Sequence, residues 1–267
     1  MVYLMTAQTE RRRVAAQTYP LFKQIKHTFI REAGHLRRGH WTLNHLLDYT
    51  RLRDEFADYP WLPPEWLDRL SLHLMDWHHP EHQPLFEHFR HQALHEHQDP
   101  YAPRPLYWGE NRPVRADVAP RIHDDGLSYR CNLALLDYGG EQPSMVGNWV
   151  LNFAAEIPEE RPAPALEMTL NSLYLLPEWQ GYGVGSAVNR VLSELVCKVL
   201  SPPLAEALPA ELPAPPAMQF DADYTSRNGQ RMGRQIARRL APLARHHGLL
   251  YYDSSRFCTQ GSARNMV

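Results

Sequence analysis

Apolar residues recur at helical spacing from Val14 to about Gln98. Because an α-helix turns once every 3.6 residues, apolar positions three and four apart predict one buried face. The spacing predicts about four helices in an N-terminal region. The clearest groups are Phe22, Ile25, Phe29 and Ile30, then Leu43, Leu46, Leu47 and Leu52, then Leu67, Leu70, Leu74 and Trp77.

The pattern changes after a proline-rich stretch at residues 99–121, which predicts a domain boundary or an irregular connection. Segments 128–138, 145–157 and 166–176 are rich in apolar and aromatic residues and predict strands. Between the first two, the sequence Asp137-Tyr138-Gly139-Gly140 predicts a hairpin connection with positive φ angles. Helical spacing returns over residues 184–200.

A second proline-rich segment, residues 201–217, predicts a mobile loop or extended linker. A strand at 218–224, a helix at 227–247 and a strand at 249–253 are expected to follow, with a frayed tail from about Arg256. This order predicts a mixed α/β (α+β) fold with flanking helices. We expect three parts: a helical region at 1–103, the mixed domain at 104–258 and a tail at 259–267.

Composition narrows the class of protein. The chain has 267 residues, of which 43% are apolar and 22% charged, values typical of a soluble globular protein. No apolar run approaches the ~18 residues of a membrane helix, and the N-terminus does not resemble a signal peptide. We therefore expect a cytoplasmic protein without a membrane partner. The three widely separated cysteines predict neither a disulfide framework nor a metal site.

The segment from Leu173 to Ala187 carries the strongest chemical signal. It leaves a predicted strand, passes through three glycines and opens a predicted helix. Amide groups at such a helix start favour an anion such as pyrophosphate. The segment lacks the Gly-Lys-Ser/Thr of a P-loop, and its G-x-G-x-G spacing differs from the G-x-G-x-x-G of dinucleotide-binding folds.

Gln180, Gly183 and Gly185 fill the motif Q/R-x-x-G-x-G/A, and in this respect the chain resembles the GNAT superfamily of acyl-CoA-dependent N-acyltransferases. The resemblance covers residues 127–253 and implies a GNAT-like mixed sheet with acetyl-CoA or another acyl-CoA as acyl donor. It implies that backbone groups of Leu173 and Leu175 pair with the pantetheine arm and that Asn228 lies near it. The pyrophosphate would be held by the amides of Gly181, Tyr182, Gly183, Val184, Gly185 and Ser186.

The chain also departs from the family pattern. Gln235 and its neighbours offer no tyrosine two turns into the last helix, where the resemblance implies a general acid. The proline-rich segment before strand 218–224 is not a family feature, and the first strand and first two helices of the family are not recognisable.

Transfer to an amine requires a base for the nucleophile and an acid for the leaving thiolate. Strand parity would place Glu167 on the face of Leu173 and Leu175, which makes it the first candidate for the base, with Glu156 second. Tyr224 and Ser226, at the end of a predicted strand, are the candidates for the acid. We expect direct attack in a ternary complex, because no nucleophile motif is present. The alternative is a non-catalytic module that binds acyl-CoA.

Two other clusters leave alternatives open. Eight histidines lie between His73 and His97, and the pairs His78/His82 and His91/His95 have metal-ligand spacing, but a polar helix face is the commoner explanation and we expect no metal. Arginines of the last helix form a basic face that suits the CoA 3'-phosphate, an anionic protein, RNA or solvent. The acceptor amine is open; a small molecule or protein is favoured over RNA.

Overall fold

The computed structural model describes residues 2–38, 41–57, 62–75, 79–96, 121–123, 126–224 and 226–257. The helices are α1 (Val2–Arg38), α2 (Leu43–Thr50), α3 (Arg53–Ala57), α4 (Pro64–Arg69), α5 (His82–Glu96), α6 (Val184–Glu206) and α7 (Arg227–His246). The strands are β1 (Leu70–Leu74), β2 (Arg121–His123), β3 (Gly126–Asp137), β4 (Ser144–Glu156), β5 (Ala165–Leu175), β6 (Ala217–Tyr224), β7 (Leu250–Asp253) and β8 (Arg256–Phe257). The expected boundary near residue 103 and the tail at 259–267 lie outside the described residues.

The strands form one mixed sheet in the order β1-β3-β4-β5-β6-β7, with β2 paired to β3 and β8 to β6. Strands β1, β3, β4 and β5 pair antiparallel, whereas β5, β6 and β7 pair parallel. The parallel strands are joined through α6 and α7, as parallel connections require a crossover. The predicted mixed α/β class, with flanking helices, is confirmed.

The two faces of the sheet differ in what covers them. Helix α6 packs against α1, α2 and α7, and its Asn189 accepts a 2.8 Å hydrogen bond from Trp149 Nε1 of β4. Trp149 lies opposite Leu173 of β5, so these helices cover the face of Leu173, which we call the α6 face. Helix α5 lies on the other face, where Phe89 contacts Tyr174 with ring centroids 5.9 Å apart.

The prediction of a helix through Leu67, Leu70 and Leu74 is wrong, because β1 begins at Leu70. Leu70 and Leu72 are fully buried and alternate with Ser71 and His73 along a strand that pairs with the outer edge of β3. Leu67, Leu70 and Leu74 are three and four residues apart, but Leu70, Leu72 and Leu74 are two apart, so this short run fits both periods. Pairing with β3 decides for the strand. Trp77 lies outside the described residues.

Two predictions of irregular structure are also wrong in part. Residues 201–206 continue α6 through Pro202 and Pro203, where the buried Leu200 and Leu204 keep the helix packed on the core. The chain near Arg256 forms strand β8 beside β6, and Arg256 Nε donates to Asp223 Oδ1 over 2.7 Å. In both places tertiary contacts order a segment whose local sequence disfavours a regular element.

The β3–β4 hairpin does not use the expected glycine conformation. Among the described residues, glycines with positive φ are Gly181, Gly183 and Gly248, so Gly139 and Gly140 do not adopt it. Instead, the Asp137 carboxylate accepts the Gly139 N–H over 2.9 Å. Arg69 of α4 donates to both oxygens of Asp137, from Nε over 2.6 Å and from Nη2 over 2.5 Å.

Asp137→Asn is expected to lower the unfolding free energy near neutral pH by about 1–2 kcal/mol, because a charge-assisted pair of bonds is lost. Burial raises the pKa of Asp137, but the Arg69 guanidinium and the Gly139 amide outweigh it and hold the pKa below its ordinary value. The contribution is therefore complete above about pH 4 and disappears as the pH falls through the folded pKa. Urea unfolding of the wild type and of Asp137→Asn, at neutral pH and in acid below the folded pKa, checks this. A difference in unfolding free energy that persists in acid would contradict it.

Candidate functional site

Strands β5 and β6 separate part of the way along the sheet. Their parallel pairing runs from Ala165 opposite Ala217 to Leu170 opposite Ala222 and stops there. Strand β5 nevertheless continues to Leu175 and β6 to Tyr224. No described strand pairs with β5 on this side beyond Leu170. The result is an opening between the two strands.

A β-bulge marks the start of the opening. Leu170 lies opposite Leu151 of β4, but the next pair along is Ser172 with Val150, so Asn171 has no partner across the ladder. A bulge bends its strand and reverses the alternation of side chains beyond it. Asn171 is therefore where β5 turns away from β6.

The bulge overturns the parity on which the prediction for Glu167 depended. Glu167 lies opposite Ala154, whereas Leu173 and Leu175 lie opposite Trp149 and Gly147. Counted along β4, these positions have opposite parity, so Glu167 and the two leucines lie on opposite faces of the sheet. The predicted shared face is wrong, and Glu167 belongs to the face of α5.

Backbone groups of β5 are directed into the opening. The N–H of Leu176 donates to Val146 O of β4 over 2.9 Å. Because alternate residues of a strand direct their N–H and C=O groups to opposite sides, those of Leu175 and Leu173 are directed away from β4. Gln180 Nε2 donates to the Leu175 carbonyl over 2.6 Å, which ties the glycine turn to this strand end.

The glycine turn leads into α6 without a side-chain cap. Gly181 and Gly183 have backbone φ angles of 85° and 81°, which residues with a side chain rarely adopt. Gly183 is the N-cap residue, and the first helical hydrogen bond joins Ala187 N–H to Gly183 O. The amides of Val184, Gly185 and Ser186 therefore have no partner within the helix, and no acidic residue lies in the first turn. This terminus suits an anion.

Contacts from α4 and α7, including Trp66 and Met232, which carry no sequence motif, hold the turn in place. Trp66 of α4 packs on Trp179 and on Tyr182, with ring centroids 4.5 and 5.0 Å apart. A Cβ atom at Gly185 would lie 2.6 Å from Met232 Cε of α7, so this glycine permits close packing of α6 and α7. Gln235 Nε2 donates to Ser186 Oγ over 3.3 Å. Trp66 and Met232 lie far from the glycine turn in the sequence, so no local motif predicts that they contact it.

The candidates for the general acid have different surroundings. Tyr224 ends β6, is 5% exposed and fills the space beside Gly233 of α7. Burial raises its pKa above the ordinary value. Ser226 caps α7, because its Oγ accepts the Gly229 N–H over 3.0 Å, and Asn228 is exposed in the first turn. Ser226 therefore has a structural role, whereas Tyr224 lies at the strand end beside the opening, with its hydroxyl buried against Gly233 of α7.

The candidates for the base are both carboxylates of the sheet. Glu167 Oε1 accepts a hydrogen bond from Thr169 Oγ1 over 3.0 Å. From Glu167 to the bulge the strand rises about 13 Å, at ~3.3 Å per residue. Glu156 is exposed at the end of β4.

The two cysteines within the described residues do not form a nucleophilic centre. Burial raises the pKa of Cys131 and of Cys197 to about 12, so both stay thiols at neutral pH. Cys258 lies outside the described residues.

Histidines do not assemble with other ligands where they are described. His78, His97 and the side chain of His95 lie outside the described residues, so neither predicted pair is complete. His82 instead faces His79, with ring centroids 4.9 Å apart. Across the described ranges no three His, Cys, Asp or Glu side chains come together as metal ligands. The absence of a metal stays a prediction.

The basic face of α7 is only partly used inside the protein. Arg239 donates to Glu55 over 2.7 Å and pairs with Glu194 over 3.0 Å. The remaining arginines that project from the helix are exposed: Arg227, Arg231, Arg234, Arg238 and Arg245. The structure does not decide between the alternatives for this face, which are the CoA 3'-phosphate, an anionic protein, RNA and solvent.

None of the described helices is long and apolar enough to cross a membrane. Comparison with known proteins gave no match: no family model fits the chain, and neither a curated protein nor a solved structure is significantly similar to it.

Proposed function

We propose that this chain is an acyl-CoA-dependent N-acyltransferase. The observation that carries the proposal is the opening between β5 and β6 beside the uncapped start of α6. An extended ligand with amide groups can pair, as an added strand, with the part of β5 that no described strand pairs on this side, and a pyrophosphate suits the α6 amides. Coenzyme A combines both groups: its pantetheine arm would lie along β5 at Leu173 and Leu175, and its pyrophosphate would contact the amides at the start of α6.

The proposed reaction is direct attack of an amine on the thioester. A backbone N–H of Leu173 or Leu175 is directed into the opening and would donate to the developing oxyanion. Tyr224 would protonate the leaving thiolate, since its raised pKa keeps the phenol protonated. Glu167 lies on the other face of the sheet, about 13 Å along β5 from the bulge, so it would accept the amine proton through intervening water. The buried thiols argue against a covalent acyl-enzyme.

One observation favours a non-catalytic acyl-CoA-binding module instead. Gln235 occupies the position where the resemblance implies a tyrosine, and its side chain binds Ser186 of the turn. Thiol release from acetyl-CoA in the presence of pooled amines separates the two functions. Turnover with any pool supports the transferase; calorimetric CoA binding without turnover on every pool supports the module.

Gly183→Val is expected to weaken CoA binding by about tenfold or more, because a branched side chain disfavours positive φ and blocks approach to the amides. Gly248→Val is the matched control. Gly248 also has positive φ, at 70°, but lies between α7 and β7, so its substitution adds similar strain away from the turn. Calorimetry with CoA measures the effect. Equal losses in both variants would remove the glycine turn from the proposal.

A further inference from the structure

The sheet face under α5 is polar where a protein interior is ordinarily apolar. Register places Arg130 opposite Asn152, Asn152 opposite Thr169, and Asn148 opposite Tyr174. Asn132 shares this face through its pairing with Val150. We call these six residues the polar face: Arg130, Asn132, Asn148, Asn152, Thr169 and Tyr174.

The polar face is buried at Asn132 and Asn148 and partly buried at its other four residues, and some of its side-chain atoms have no hydrogen-bond partner among the described residues. Asn132 and Asn148 are 3% and 4% exposed. Within the described residues, Asn148 Oδ1 and Asn152 Oδ1 are buried without a hydrogen bond, as is Asn171 Nδ2 at the bulge. A buried polar atom without a partner destabilises a fold. Carboxamides held in this state on adjacent strands indicate a surface shaped for a ligand.

The polar face also reaches the opening between β5 and β6. Asn171 lies between Leu170, the last residue paired to β6, and Ser172, which lies opposite Val150 next to Asn148. Glu167 lies on the same face, one alternate position from Thr169. A ligand on the polar face would therefore lie between a carboxylate and the site proposed for the thioester.

We propose that the polar face is the acceptor site, and that the acceptor is a primary amine carried by a small hydroxyl-rich molecule, of the amino sugar class. This rests on the proposed transferase function. A carboxamide offers both a donor and an acceptor, and so does a hydroxyl group, so uncharged amides suit a polyol better than a polycation or an apolar amine. Cover by α5, through Phe89 on Tyr174, favours a small molecule over a protein chain.

The test uses Asn148→Leu, with Asn189→Leu as the matched control. Asn189 is a fully buried asparagine whose Oδ1 accepts from Trp149 Nε1, so its replacement breaks an existing hydrogen bond, although its Nδ2 has no partner among the described residues. If Asn148 serves a ligand, Asn148→Leu should raise the melting temperature by roughly 2–4 °C, because an unsatisfied buried group is removed. Asn189→Leu should lower it. If Asn148 had only a structural role, both substitutions would lower the melting temperature.

Binding is measured by calorimetry with glucosamine as the probe, with CoA present, and cyclohexylamine as the matched amine without hydroxyls. Glucosamine should bind at least tenfold more tightly than cyclohexylamine, and Asn148→Leu should remove most of that preference while CoA affinity stays unchanged. Asn152→Leu serves as the second variant should Asn148→Leu fail to fold.

The outcomes separate this inference from the proposed function. CoA binding without a preference for glucosamine, or a preference that both asparagine variants retain, would overturn the acceptor site and leave the transferase standing. Loss of stability in Asn148→Leu with unchanged glucosamine binding would also overturn it. Absence of CoA binding in the wild-type protein would overturn the proposed function, and the acceptor site with it.

Discussion

Tyr224→Phe is expected to lower kcat for acetyl transfer by roughly 10² to 10⁴-fold while CoA affinity stays the same. The phenol lies at the end of β6, two residues beyond the last pair with β5, and its hydroxyl and the adjoining ring edge pack beside Gly233 of α7. Phenylalanine keeps this packing and removes the hydroxyl. The thiolate would then have to take its proton from water, which raises the barrier for its departure.

Tyr251→Phe is the matched control for Tyr224→Phe. Tyr251 is a partly buried tyrosine of β7 whose hydroxyl donates to Ala237 O of α7 over 3.2 Å. Its loss should affect stability more than rate. Steady-state kinetics with acetyl-CoA distinguishes the two variants. Burial raises the pKa of Tyr224, so the wild-type rate should not fall through loss of this acid below about pH 10. Equal rates for Tyr224→Phe and the wild type would exclude this residue as the acid.

Glu167→Gln is expected to lower kcat by roughly 10² to 10⁴-fold, because the amide keeps the shape of the carboxylate but cannot accept a proton. Thr169 Oγ1 donates to Glu167 Oε1, which holds the side chain on the polar face. The loss should shrink as the pH rises, since more of the acceptor amine is then already neutral. A pH series of kcat measures this.

The comparison for Glu167 is Glu156→Gln, at the exposed end of β4. This variant is expected to keep its activity. A loss of rate in Glu156→Gln with none in Glu167→Gln would transfer the role to Glu156. A fall in Glu167→Gln that is confined to KM, or that does not change with pH, would indicate acceptor binding instead of proton transfer.

Strands β3 to β6 and helices α6 and α7 follow from the sequence because their local patterns and their tertiary environments agree. Apolar and aromatic runs lie on the strands. Ser226 caps the start of α7, and Gly248, with positive φ, follows its end, as helix start and stop signals predict. The glycine turn also follows, since Gly183 takes the positive φ that its spacing suggests.

Other features depend on contacts between distant segments and have no local signature. Strand β1 forms because the outer edge of β3 needs a partner, although its leucines fit a helix equally well. The bulge at Asn171 is one extra residue in a ladder, and it alone reverses the face of Glu167. The polar face had a signal in the sequence: asparagines recur within predicted apolar strands at positions 132, 148, 152 and 171.

The most direct measurement of the proposed CoA site is a titration of isotope-labelled protein with CoA, followed through backbone amide NMR shifts. We expect saturable changes at Leu173 and Leu175 and from Gly183 to Ser186, because these amides would contact the pantetheine arm and the pyrophosphate. Amides of the β3–β4 hairpin serve as the internal control and should not move. Saturable changes confined to the exposed arginines of α7, or no saturable change at all, would contradict the proposed site.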